Sequence, residues 1–406
     1  NEFVDVKGDI AAYGNHYADL HITSTPKIDL SEAERVLMPV HKAFDFLLGP
    51  VPIMGFSGFG SIDLVVKGTK KDPHTFGWFK TTGANTYFDD IYDLTLNNAD
   101  SILTFEDTNT IFKLQNGYVN GKKIFIDGTC TLKGKLKFIA KLPEQNIGVL
   151  LNVLKKSPML KDMQGTVNMV ESADGLSDFT LNLDGQLLDI SELKIGKNVH
   201  AKGDIALKNT KVKIKNLKNE LQNIYGSIKF DDFYYKINLT SAIGNEKFHV
   251  EGDIDNDNAS VAFSSEKILI YDLLKLINIP ELNINSNDKN SSYINFKGKY
   301  KGSISKINYK NIKADGNILF NNLNLIYTPK KMPIIIHNGN ANIKNGNVSL
   351  KRLNMHIGTM PFVIGGNIYN LFEKPYTDLS VFARPNQKAA DYLYNSSAVY
   401  PIKLKG

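Results

Sequence analysis

The chain is short of most residue patterns that carry catalytic chemistry. Its one cysteine, Cys130, allows no internal disulfide and no four-thiolate metal site, which fits the cytoplasm or an unstapled periplasmic protein. The 8 histidines stand singly (His16, His21, His41, His74, His200, His249, His337, His356), with no HExxH or other ligand spacing, so no cofactor or metal is expected. Asp253, Asp255 and Asp257 resemble the opening of a calcium loop. Asn258 stands where that loop needs glycine and Ser264 where it needs a bidentate glutamate, so the three acids read as a polar hairpin tip. The glycines from Gly55 to Gly60 lack nucleophile-elbow spacing, dinucleotide and phosphate loops are absent, and the pairs Asp89-Asp90 and Asp231-Asp232 have no facing partner in the sequence. An enzyme is therefore not supported.

Long apolar runs are missing too. The nearest approach, Val36 to Phe56, is broken by His41, Lys42, Asp45 and prolines, so the chain as given contains no membrane-spanning helix and opens on no signal peptide. The net charge of +6, from 48 basic against 42 acidic side chains, comes from scattered lysines with no basic block. No nucleic-acid partner is expected; a solvated face is the simplest reading, with weak attraction to anionic headgroups as the alternative. The one tryptophan, Trp78, lies in Phe76-Gly77-Trp78-Phe79 and reads as core packing.

What is present is a repeat. Ile357-Gly358 leads through Phe362 and Ile364 to Gly366-Asn367-Ile368, and Ile243-Gly244 leads through Phe248 and Val250 to Gly252-Asp253-Ile254. Ile195-Gly196 leads through Val199 and Ala201 to Gly203-Asp204-Ile205, Gly121 leads through Ile124 and Ile126 to Gly128, and a headless copy opens the chain at Val4 to Ile10. A short alternating strand follows most copies (Leu20/Ile22, Leu136/Phe138, Val261/Phe263, Leu379/Val381), and then a helix is expected: Ser31 to Leu48, Glu144 to Lys156, Glu266 to Ile277 and Asn386 to Tyr394. The copy from Asp189 to Asn219 runs on through Leu207 and Val212 without a helix. Asn116-Gly117, Asn120-Gly121, Asp174-Gly175, Asn338-Gly339 and Asn345-Gly346 read as hairpin turns, and connections so short imply antiparallel pairing.

The fold expected is mainly β with short interspersed helices, an elongated and curled antiparallel repeat sheet. The modules run 1–48 (the tail of a repeat with its helix), 49–157, 158–278 and 279–396, each ending in a helix, and 397–406 opens a further copy, as in an excerpt of something longer. On these glycine and apolar positions, best seen from Asn347 to Leu393 and from Pro26 to Leu154, the chain resembles the AsmA-like group of Gram-negative envelope proteins. That resemblance implies a U-shaped periplasmic β-groove, anchored to the inner membrane through segments outside this chain, monomeric, and carrying phospholipid or another acyl-chain lipid between the two membranes. By strand parity the lining would be Leu20, Ile22, Ile62, Leu64, Ile124, Ile126, Leu136, Phe138, Phe248, Val250, Val261, Phe263, Phe362, Ile364, Leu379 and Val381. The same alternation would equally fill the closed core of a structural or adhesive β-repeat scaffold.

Overall fold

Two-residue periodicity dominates the sequence, and strands dominate the structure. The computed structural model describes residues 3–11, 17–32, 56–69, 72–88, 94–131, 133–156, 168–186, 194–215, 217–276, 282–284, 289–304, 314–370 and 376–384. Its 23 strands belong to one hydrogen-bonded sheet, and every strand pairing described is antiparallel. The expected fold class, a mainly β antiparallel sheet with short helices, is what the chain adopts.

Contacts divide the chain into two units, the first comprising Asn1–Val167, Gly175–Leu207 and Ile228–Phe233, the second Asn168–Asp174, Lys208–Ser227 and Tyr234–Gly406. In the first, β1 (Val4–Ala11), β2 (Tyr17–Ser24), β4 (Phe56–Thr69), β5 (Asp72–Phe88), β6 (Leu94–Asp107), β7 (Asn109–Val119), β9 (Phe125–Thr131), β10 (Lys135–Asn146) and β11 (Val170–Gln186) pair in that order. The short β3 (Ile28–Asp29) and β8 (Lys122–Lys123) lie on β4 and β7. Helix α1 (Ile147–Lys156) follows β10, and β11, β12 (Val199–Ile214) and β13 (Leu221–Asp231) give residues to each unit.

The second unit is a meander of β14 (Tyr234–Ile243), β15 (Glu246–Asp255), β16 (Asn258–Leu269), β18 (Tyr293–Ser303), β19 (Ala314–Tyr327), β20 (Met332–Lys344), β21 (Asn347–Ile357), β22 (Met360–Tyr369) and β23 (Tyr376–Ala383). Between β16 and β18 come helix α2 (Ile270–Leu276) and the short β17 (Leu282–Ile284), which pairs with β19. Among the described residues β1 and β23 each pair on one side only.

Helices α1 and α2 begin later than the acidic and proline signals suggest, whereas the helix expected from Ser31 starts at Leu30. Pro143 and Glu144 still belong to β10, where Glu144 takes φ 51° at a bulge and donates its N–H to Asp178. The start of α1 is set by Asn146 instead, whose side-chain oxygen accepts the Gly148 N–H at 2.8 Å. Likewise Glu266 lies in β16, which continues to Leu269 because Ile268 and Leu269 still pair with Ile294 and Tyr293. The expected helix over Asn386 to Tyr394 lies outside the described residues, as does most of that over Ser31 to Leu48.

Only two of the five expected Asn-Gly or Asp-Gly turns are turns. Asn120-Gly121 (φ 52° and 73°) and Asn345-Gly346 (50° and 77°) have both central residues at positive φ. Asn116-Gly117, Asp174-Gly175 and Asn338-Gly339 lie inside β7, β11 and β20. At Gly117 and Gly339 the missing Cβ makes room for a neighbour, a methyl on Gly339 sitting 2.4 Å from the Leu353 side chain, and Gly175 takes φ 119°. The acids at Asp253, Asp255 and Asp257 do form a hairpin tip, with Asn256 at φ 52°.

The Gly-x-Ile glycine of the repeat has one steric reason in four copies. A Cβ on Gly8, Gly203, Gly252 or Gly366 would approach the backbone oxygen of Asp19, Thr180, Ser260 or Asp378 within about 2 Å. Neighbouring strands meet too closely there for any side chain.

Candidate functional site

Strand register, followed residue by residue, decides which apolar side chains share a surface. In the first unit one row runs Val6, Ile22, Leu64, Gly77, Phe105, Thr110, Cys130, Leu136, Gly185. Beside it runs Ile62, Phe79, Leu103, Phe112, Gly128, Phe138, Leu183, and Leu114, Ile126 and Ala140 form part of a third. Leu20 is in phase with them opposite Val66, and Ile124 packs in the buried cluster with Leu30, Ala84, Ala99 and Leu114.

The second unit repeats the arrangement. Leu239, Val250, Phe263, Gly298, Gly316, Ile343, Val348 and Ile368 form one row. Phe296, Ile318, Ala341, Leu350, Gly366 and Leu379 form the next, and Ile364 opposite Val381 and Phe362 opposite Met355 continue it. Val261 lies opposite Gly252 in the same phase. The expected lining residues that lie in strands, Phe248 included, share the phase of these rows, because bulges such as that between Leu350 and Leu353 leave the parity of the partner strand intact; Ile124 lies in no strand.

Burial separates them into two kinds. Leu20, Leu64 and Ile124 are 6%, 5% and 2% exposed, and Leu20 and Ile124 belong to buried clusters. Val381, on β23, is 55% exposed, and the others are half-buried. Aromatic rings lie over glycines along these rows: Phe138 is opposite Gly128, and Phe263 covers Gly298 while its centroid lies 5.8 Å from that of Phe296. Helix α2 packs Tyr271, Leu273, Leu274 and Leu276 against the buried cluster of Ile243, Ile268, Ile270, Ile284, Ile294 and Leu323.

Trp78 corrects the core-packing expectation. It occupies the opposite face from Gly77 and Phe79, opposite Asp63, with the Lys80 ammonium 4.2 Å from its ring. That face carries most of the charged side chains, with exposed Phe76, Phe125 and Ile139 among them. His21 meets Asp63 at 2.9 Å, His74 meets Asp107 at 2.5 Å and His200 meets Asp232 at 2.8 Å. Hydrogen bonding to Asp107, and then to Asp72, raises the His74 pKa above its ordinary value, and Asp232 raises that of His200. On the apolar face, burial pushes the Cys130 thiol up.

Two features were invisible in linear order. His337, exposed, and His356, half-buried, come together with ring nitrogens 2.7 Å apart. Asparagine side chains link across strands, Asn354 to Asn338 at 2.5 Å, Asn321 to Asn295 at 2.8 Å and Asn317 to Asn340 at 2.7 Å. Neither pattern has a spacing signal, since register alone creates it. Among the described residues no group of three or more His, Cys, Asp or Glu side chains could hold a metal, and no helix is long and apolar enough to cross a membrane.

Fold and site together define a mainly β protein whose units each have one apolar and one polar sheet face. No family model, curated protein or solved structure matches the chain.

Proposed function

We propose that the apolar face holds the acyl chains of phospholipids and conducts them along the strands' rows, as part of a lipid-carrying bridge in the periplasm of a Gram-negative envelope. The observation that carries this reading is the pair of mainly apolar rows in register across consecutive strands, from Ile22 to Leu136 in one unit and from Val250 to Ile368 in the other, in which Ile22, Leu136, Val250, Phe263 and Ile368 are half-buried while Leu64 and Val348 are buried. Half-burial leaves apolar area for a ligand to cover, and each methylene placed there gains ~0.8 kcal/mol. The contact is non-directional, so a chain can slide from row to row without breaking a hydrogen bond. The resemblance of the Gly-x-apolar repeat to the AsmA-like group supports the same reading, including attachment to the inner membrane through segments beyond this chain.

A second reading has its own support. Leu20, Leu64 and Ile124 are packed as tightly as an ordinary core, which favours a closed β-repeat scaffold. The test is gentle extraction of the protein followed by mass spectrometry of bound lipid, with transfer of fluorescent phospholipid between vesicles measured alongside. Co-purifying phospholipid and protein-dependent transfer support the groove. A protein free of lipid and inert in transfer under all extraction conditions sinks it.

A further inference from the structure

The polar face of the second unit carries a trough of about 370 Å³, at the small end of ligand-site volumes. Strand parity sorts its lining. His249, Glu251, Lys297, Lys299 and Lys344 have the parity of the polar face, and Phe263, Gly298, Gly316 and Ile343, which alternate with them along the strands, complete the lining. Its hollow has a sequence cause: Ser264 pairs with His249 and Lys297, and Ala262 with Glu251 and Lys299, so two small side chains separate two pairs of long ones. Lys344 on β20 also lines it.

The charges in this trough are not balanced internally. The Glu251 carboxylate lies 3.5 Å from His249 Nε2, and Asp315 accepts the Asn345 N–H at 2.9 Å. Lys297, Lys299 and Lys344 form no ion pair among the described residues, although Asp315 stands directly opposite Lys299 in the register. Lys297 and Lys299, two residues apart on one strand, project to the same side about 6.6 Å apart at their Cα atoms. Three lysines against the two carboxylates Glu251 and Asp315 leave the trough one positive charge in surplus, and the ammonium donors match the several oxygens of phosphate.

We propose that this trough is a binding site for a phosphate-bearing ligand, held by Lys297, Lys299 and Lys344 with Ser264 and Asn342 as neutral donors. Its lysines have the parity of the face away from the acyl-chain rows, and phosphate binding there does not depend on those rows. The phosphate can belong to a soluble diphosphate or to an anionic lipid headgroup.

The test uses the whole chain at low salt, titrated calorimetrically with inorganic pyrophosphate, and flotation with phosphatidylcholine vesicles with and without phosphatidic acid. Saturable pyrophosphate binding is expected, weakened about tenfold by K297S and again by K299S, as for the loss of one charge-assisted contact each. K141S, on the polar face of the first unit, should leave it unchanged, and thermal melts of all variants should coincide. Pyrophosphate binding without flotation assigns the site to a soluble phosphate; flotation that requires phosphatidic acid and is competed by pyrophosphate assigns it to a headgroup. Either supports the site. Absence of saturable binding to both probes, or equal weakening by K141S, overturns it.

Discussion

Replacing Phe263 with aspartate separates a lipid-holding face from a closed core. Phe263 is half-buried, opposite Val250 and Gly298, with Phe296 as its ring neighbour. Removing a fully buried phenylalanine costs about 3–5 kcal/mol, so a half-exposed ring should cost about 2 kcal/mol. If the face is open in the free protein, the new carboxylate keeps its water and adds little to that cost. The melting temperature then falls by only about 4–8 °C for a unit of this size. Lipid transfer should fall much further, by about tenfold or more, because an acyl chain crossing this row would strip water from a charge. Ile268→Asp is the control: at 0% exposure it should unfold the protein under either reading. Thermal melts and vesicle-transfer rates measured on both variants decide the matter. Should Phe263→Asp unfold as completely as Ile268→Asp, the face is a core and the transport reasoning fails; unaltered transfer by a folded variant refutes it equally.

Val381→Asp, at an exposed position of β23, should shift the denaturation midpoint by no more than about 0.5 kcal/mol while slowing transfer, and a large loss of stability would show that the residue is covered in solution. Gly252→Ala should cost about 2–4 kcal/mol in urea unfolding, since its methyl would meet the Ser260 oxygen at 2.2 Å, whereas Gly121→Ala, with nothing within 4 Å, should cost about 1 kcal/mol. Lipid carrying brominated acyl chains should quench a fluorophore attached at Cys130, on the apolar face, and spare Trp78 on the other; equal quenching of both would contradict the assignment of faces. Alkylation of the unmodified Cys130 should accelerate only above the usual thiol range, because burial raises its pKa. The raised pKa values of His74 and His200 give a stabilisation fully present below the unfolded histidine value of about 6.5 and lost as pH climbs through the folded values; H74Q with H200Q should flatten the pH dependence of melting in that window.

The sequence by itself determined the strands, their antiparallel sense and the side of each strand that turns to the apolar face. Period-two alternation is a local property, so Ile62, Phe138, Phe263 and Ile364 can each be assigned to one side of a strand without any knowledge of their neighbours. Its turn signals were weaker, because glycine serves two purposes that look alike in one dimension. Gly121 supplies a positive φ at a hairpin, whereas Gly339 makes room for Leu353 inside a strand, and only the neighbouring strand tells them apart. Helix starts were misplaced for a similar reason: Glu266 carries a helix-start signal, but pairing of Ile268 and Leu269 with β18 outweighs it. What only the tertiary structure decided is everything that register brings together from distant strands. The His337–His356 contact, the asparagine links and the convergence of Lys297 and Lys299 with Lys344 have no spacing to read, since the loops between strands set which residues meet. Depth of burial was decided there too, for Leu64 and Val381 share one pattern in sequence and differ only in what is stacked against them.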